Sequence, residues 1–159
     1  MRTFRYLVLS AFAAALVASS AVAAPTKSIP ITGTYAGTAS TKVDGNTATI
    51  AANGAGKLSL LGAGKIVGNG TGDSSQQPCV PFAGTGTITG TAGVITYKVL
   101  PNANGCGDEG GHVFSVKGNM EVLKATGKLA KTKGVLRFTG TYSRDDGTFS
   151  VKLTGTLKK

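Results

Sequence analysis

From Phe149 to Lys158 the chain changes character at every step: Phe149, Val151, Leu153, Gly155 and Leu157 alternate with Ser150, Lys152, Thr154, Thr156 and Lys158. A period of two belongs to a β-strand with one dry face and one wet face. The beat recurs upstream. Leu136, Phe138, Gly140 and Tyr142 alternate with Val135, Arg137, Thr139 and Thr141. Phe114, Val116, Gly118, Met120 and Val122 alternate with Ser115, Lys117, Asn119 and Glu121. Between the last two runs of the chain lies Arg144-Asp145-Asp146-Gly147, a turn sequence that makes them a hairpin. Glycine and threonine together supply 45 of the 159 residues, and both are poor helix formers.

The N-terminal half carries shorter signals. Strands are expected at Gly33–Ser40, Asn46–Ala52, Gly56–Leu61, Lys65–Thr71, Phe82–Gly90 and Val94–Leu100. Gly54-Ala55-Gly56-Lys57-Leu58 recurs as Gly62-Ala63-Gly64-Lys65-Ile66, and Thr-Gly-Thr occurs at 32–34, 89–91, 139–141 and 154–156. These echoes are too short for a solenoid repeat. They read as one local solution reused, with glycine on the inner face where space is tight. Asn69–Gln77 also fits a flexible Gly-rich linker.

Eight or nine short strands without a convincing helix imply an all-β fold, a single antiparallel barrel with a β-sandwich as the alternative. Closure removes sheet edges, which favours the barrel. An outer-membrane barrel would face apolar side chains outward. Here Thr, Lys, Ser and Arg occupy the outward positions, so the expected barrel is water-soluble.

Met1–Ala23 reads as a signal peptide: Arg2 and Arg5, an apolar run from Tyr6 to Val17, and the small-residue site Ala21/Ala23. The alternative is an uncleaved anchor, but the run falls short of the ~20 residues that a spanning helix needs. Export to a periplasmic or extracellular location is expected. Residues 24–32 are then a flexible N-terminus and 33–159 the barrel domain. The remaining 136 residues carry 15 basic and 7 acidic side chains, a net charge of +8.

Cys79 and Cys106 are the only cysteines, and an exported chain meets oxidising conditions. With a two-residue turn at Ala92-Gly93, Thr91 faces Val94, Ile88 faces Tyr97 and Gly86 faces Val99. The same register carried onward sets Cys79 opposite Cys106. A two-residue slip preserves the faces equally well, and Pro78, Pro81 and Pro101 interrupt pairing nearby. A structural disulfide closing this 28-residue loop is worth roughly 3–4 kcal/mol.

Other chemistry is sparse. Asp108-Glu109-Gly110-Gly111-His112 sets two carboxylates near the single imidazole, as a metal or proton-transfer site would, and equally reads as a solvated loop. No nucleophile elbow, zinc-protease helix or phosphate loop occurs. No cofactor is expected. Tyr97 falls on the inward face, either as a polar group in a cavity or as a core tyrosine with a satisfied hydroxyl. Lys124, Lys128, Lys131, Lys133 and Arg137 concentrate positive charge that suits an anionic envelope surface, or that simply keeps strand edges soluble. Nucleic acid is disfavoured by 13 Lys against 2 Arg after the signal segment and by the lack of an aromatic stacking motif.

Ala125-Thr126-Gly127-Lys128-Leu129-Ala130-Lys131-Thr132-Lys133-Gly134, followed by the strand Val135–Tyr142, resembles a segment of the allene oxide cyclase and dirigent barrels. Those families carry Gly-Thr-Gly-x-Phe, a short turn, a Gly and a strand. Ala125 stands here for the first Gly and Leu129 for the Phe. The likeness extends at most from Val122 to Leu157. It implies an eight-stranded barrel with an apolar interior, and no functional residue of either family maps onto this chain. Three roles follow as expectations: an exported barrel binding a small apolar ligand, a cyclase- or isomerase-like enzyme acting in the lumen, and adhesion to an anionic envelope surface.

Overall fold

A computed structural model describes residues 26–159. The expected signal segment, Met1–Ala23, lies outside the described residues. Nine strands follow in order: β1 (Ser28–Asp44), β2 (Thr47–Leu58), β3 (Gly62–Asp73), β4 (Cys79–Gly90), β5 (Gly93–Val99), β6 (Asn104–Gly107), β7 (Val113–Ala125), β8 (Lys133–Ser143) and β9 (Thr148–Lys158). A 3-10 turn, Gly127–Leu129, sits between β7 and β8.

Pairing is antiparallel throughout and runs β1-β2-β3-β4-β5-β7-β8-β9, with β9 returning to β1. Ser28 faces Lys158 and Thr38 faces Thr148 across that last ladder, so the sheet closes into an eight-stranded barrel. The expected barrel is therefore the observed fold, and the sandwich is not. Strand pairing begins at Ser28, inside the stretch 24–32 that the sequence suggested was flexible: Ile29 and Ile31 alternate inward like the residues after them, and β9 supplies their partners. The two short strands expected at 46–52 and 56–61 are one strand, β2. Asn69–Asp73, legible as linker, belongs to β3.

The Gly-Ala-Gly-Lys echo has a structural meaning. Its two copies are the arms of one hairpin, with Gly54 facing Ile66, Gly56 facing Gly64 and Leu58 facing Gly62. An antiparallel ladder sets the start of one copy against the end of the other. The glycines thus fall on one inward face, where β2 and β3 leave room for neighbouring side chains.

β6, the strand outside the eight-stranded circuit, repairs an interruption. β5 stops at Val99, and a turn at Leu100–Ala103 carries Pro101, which has no N–H to give the ladder. β6 then resumes pairing with β4 and β7 along the same lane. The β4–β5 hairpin takes the slipped register: Gly86 faces Tyr97 and Ile88 faces Ile95, around a turn at Thr91-Ala92. The turn expected at Ala92-Gly93 would instead set Ile88 opposite Tyr97. Yet Cys79 does face Cys106, because the lane gains two residues at the interruption: five steps on β4 from Gly84 to Cys79 correspond to seven from Val99 to Cys106. The disulfide between them is formed.

Inward side chains differ along the axis. Toward the end formed by the starts of β1, β3, β5 and β8, they are large and fully buried, among them Leu58, Ile88, Ile95, Leu136, Leu153 and Leu157. Two residues outside the strands plug this end: Leu61, in the β2–β3 turn, and Leu129, in the 3-10 turn, each fully buried. Ala92 donates to the Leu61 carbonyl at 3.0 Å and Lys128 to the Ala92 carbonyl at 3.0 Å, which knits the three loops together. This end is closed.

Candidate functional site

Toward the other end the inward positions shrink. Ala39, Ala48 and Ala52 from β1 and β2, with Gly68 from β3, replace the leucines and isoleucines of the plugged half. Eight strands enclose a lumen that large side chains just fill. Where the side chains are small the lumen stays hollow, and a cavity of about 760 Å³ results. Its floor is Ile66, Tyr97, Met120, Phe138 and Leu153, the top of the packed core.

Aromatic side chains gather here. The described residues hold seven, and six of them line the cavity: Phe82, Phe114, Phe138, Phe149, Tyr97 and Tyr142. Phe82 and Phe138 meet with ring centroids 6.0 Å apart, and Phe114 and Tyr142 at 6.2 Å, both tilted. These geometries suit ring quadrupoles and leave ring faces and edges free for a guest. The wall from β1–β3 is aliphatic and smooth, built from alanine, glycine, Ile50 and Ile66.

Polar groups sit mainly at the mouth. Ser40, Thr41, Ser74, Gln77, Tyr142 and Arg144 ring it, and the Thr41 hydroxyl donates to Tyr142 Oη at 3.3 Å. Tyr97 is the deep polar residue of the lining. The sequence placed it inward, and it is buried with its hydroxyl donating to the Val67 carbonyl at 3.3 Å. Burial disfavours the phenolate and pushes its pKa up to about 12. At neutral pH it is a phenol. Its oxygen can accept one hydrogen bond from a guest while its proton is held by the backbone.

The mouth loops are ordered by their acids. Asp73 accepts from the Ser75 backbone and hydroxyl at 3.1 and 2.6 Å and from Gln76 Nε2 at 2.8 Å; these bonds, Ser75's hydroxyl foremost, hold its carboxyl below the usual range. Asp108 accepts from the His112 and Val113 amides at 2.8 and 3.3 Å and is lowered likewise. His112 Nδ1 meets Asp145 Oδ1 at 2.8 Å, across from the β6–β7 loop to the β8–β9 turn. Asp145 raises the imidazole pKa above its usual 6.5. The Asp108 carboxylate therefore holds the backbone amide of His112, while the imidazole itself bonds to Asp145. The partner that sequence reasoning missed is Asp145, 33 residues from His112 and brought near only by the β7–β8–β9 meander.

The basic run divides. Lys124, Lys128, Lys131 and Lys133 are exposed around the plugged end, whereas Arg137 lies halfway along the outer face of β8, opposite Asn119 and Thr154. None of the five lines the cavity. Cys79 and Cys106 bind β4 to β6 beside the mouth, where the Gly107 amide also donates to the Pro78 carbonyl at 2.9 Å. A disulfide is compatible with an exported protein.

No protein-family model, no curated protein and no solved structure matches this chain. The chemistry of the cavity is its own guide.

Proposed function

We propose that this protein binds one small, uncharged apolar molecule in the hollow half of its barrel. The observation that carries the reading is the cavity itself: about 760 Å³, walled by six aromatic rings and by alanines, glycines and isoleucines. That size and lining are typical of sites that bury most of a drug-sized ligand. An ionised group carried deep inside would find no charged side chain to pair with, and burying an unpaired charge is costly. The deep part of the guest is therefore apolar. A donor on it would meet the Tyr97 oxygen, whose proton is held by Val67, and an acceptor would meet the hydroxyls of Thr41 and Tyr142 at the mouth.

The cyclase- or isomerase-like alternative has Tyr97 to draw on, a phenol already committed to the Val67 carbonyl. Binding without turnover is the reading that the lining supports. An exported location, also part of this proposal, is supported by the disulfide and by the N-terminal sequence.

The test uses N-phenyl-1-naphthylamine, a neutral apolar dye that fluoresces in dry surroundings. Saturable uptake at one site per chain is expected. Ala52→Trp fills the cavity from the smooth wall and should abolish uptake while the circular dichroism stays that of a β-barrel. Equal uptake by both proteins would place the dye elsewhere and end the proposal.

A further inference from the structure

The charges of this barrel are sorted along its axis. Lys27, Lys57, Lys65, Lys158 and Lys159 are exposed at the plugged end, together with Lys124, Lys128, Lys131 and Lys133. These nine lysines come from all but the β4–β5 side of the barrel: the start of β1, the β2–β3 hairpin, the end of β7, the loop after it, and the adjoining ends of β8 and β9. Lys133 and Lys158 even face each other across a ladder. The acidic side chain nearest to them is Glu121, opposite Val135 across the β7–β8 ladder. Six of the seven acids, Asp44, Asp73, Asp108, Glu109, Asp145 and Asp146, stand in the strand ends and loops of the cavity mouth, with Lys42 and Arg144 as the nearby bases. The seventh, Glu121, is on the outer face of β7. Among the described residues no lysine forms a salt bridge.

Like charges packed on one end repel each other, so the arrangement costs the isolated molecule and is relieved by an opposing anionic surface. Apolar side chains project from the same end. Leu60 stands at the tip of the β2–β3 turn, 47% exposed, with a left-handed φ of 67° that leucine seldom adopts. Leu123 is 51% exposed because a bulge in β7 leaves it unpaired: Thr96 faces Lys124 but Tyr97 faces Val122. Val135 lies nearby on β8, also exposed.

We infer that the plugged end docks on the surface of an anionic lipid bilayer, which leaves the cavity mouth facing the aqueous space. A collar of lysines around a barrel end matches a plane of headgroups better than a linear groove for a polymer strand. Lysine binds such a plane by point charge and needs no bidentate geometry. Leu60, Leu123 and Val135 favour a bilayer over a soluble polyanion, since only the bilayer offers an apolar layer beneath its charges. The acidic mouth is repelled by the same surface, which fixes the orientation. This inference is independent of what the cavity holds.

The experiment is co-sedimentation of the purified protein with vesicles of phosphatidylcholine, with and without phosphatidylglycerol. Binding is expected only to the anionic vesicles and should weaken as salt rises. Replacing Lys124, Lys128, Lys131 and Lys133 together by Gln should lower partitioning at least about tenfold, whereas the same change at Lys42, Lys98, Lys117 and Lys152 should lower it by less than about threefold. Equal losses from the two sets would overturn the inference. The chain has no Trp, so single introduced tryptophans report depth. Leu60→Trp should shift its emission to the blue on anionic vesicles and Val43→Trp, near the mouth, should not. Absence of that contrast, or capture by soluble dextran sulfate as tight as by vesicles and indifferent to Leu60→Ser, would also overturn it.

Discussion

The ring of Tyr97 occupies the space that Gly86 leaves empty on the strand beside it. The two residues face each other across the β4–β5 ladder, and a Cβ at position 86 would fall 2.6 Å from Tyr97 Cζ. Gly68, on β3, makes room for the same hydroxyl, with its own Cβ position 2.9 Å from Tyr97 Oη. The deepest polar group of the cavity thus owes its placement to two glycines. Gly86→Ala should displace the ring, break the bond to Val67 and destabilise the barrel by about 1–3 kcal/mol in urea unfolding. Tyr97→Phe added to it should recover only part of that loss, because the new methyl also meets the Val67 carbonyl.

Tyr35 offers the opposite sign. It is fully buried, and its hydroxyl has no hydrogen-bond partner. A buried unpaired hydroxyl costs free energy that a ring without it does not. Tyr35→Phe should therefore raise stability, by roughly 1 kcal/mol in denaturant titration. A decrease would mean that the oxygen has a partner after all.

His112 and Asp145 give the mouth a dependence on pH. The folded imidazole titrates above 6.5, raised first by its hydrogen bond to Asp145 and then by the carboxylate's charge. The sign follows from linkage: the raised imidazole contributes its stability fully below pH 6.5 and loses it as pH rises through the higher folded value. Both side chains are solvent-exposed, so the effect is local to the two loops. An NMR titration of the single described histidine should show the raised pKa, and Asp145→Asn should return it toward 6.5.

Reduction of Cys79–Cys106 removes a constraint on the unfolded chain. With the two cysteines 27 positions apart in sequence, the Cys79→Ser/Cys106→Ser double variant should lose roughly 3–4 kcal/mol on the chain-entropy account. Amides of β6, whose four residues make the shortest strand, should exchange fastest in that variant, as hydrogen-exchange mass spectrometry would show.

The barrel was legible because its inward residues keep a strict period of two: Phe138 and Leu153 are buried and Val151 lines the lumen, as alternation requires. The register of β4 against β5 was not. Either register leaves Ile88 and Tyr97 on the same face, and only the two-residue insertion after Val99 decides between them. The hollow half is not legible in the sequence for a related reason. Alternating Ala and Gly on β2 and β3 read as strand just as Leu and Ile do, and only closure turns their missing volume into a cavity. Leu61 and Leu129 lie in turns, where periodicity says nothing about burial. The lysine collar was half visible, as the run Lys124–Lys133. Lys27, Lys57, Lys65, Lys158 and Lys159 are distant from that run in sequence and join it only when β9 pairs with β8 and β1 with β9.

That ladder between β1 and β9 differs from the rest in one respect. The other main ladders join strands that follow one another along the chain, or that are separated only by the short β6, whereas this one brings together Ser28 and Lys158. Loop closure over so many residues comes late in folding and slowly. Until it happens, the nascent meander has two bare margins, β1 and β9, each able to recruit a stranger in place of its rightful neighbour. Overproduction should therefore fail first by intermolecular strand exchange, at the one joint that cannot form until β9 has been made.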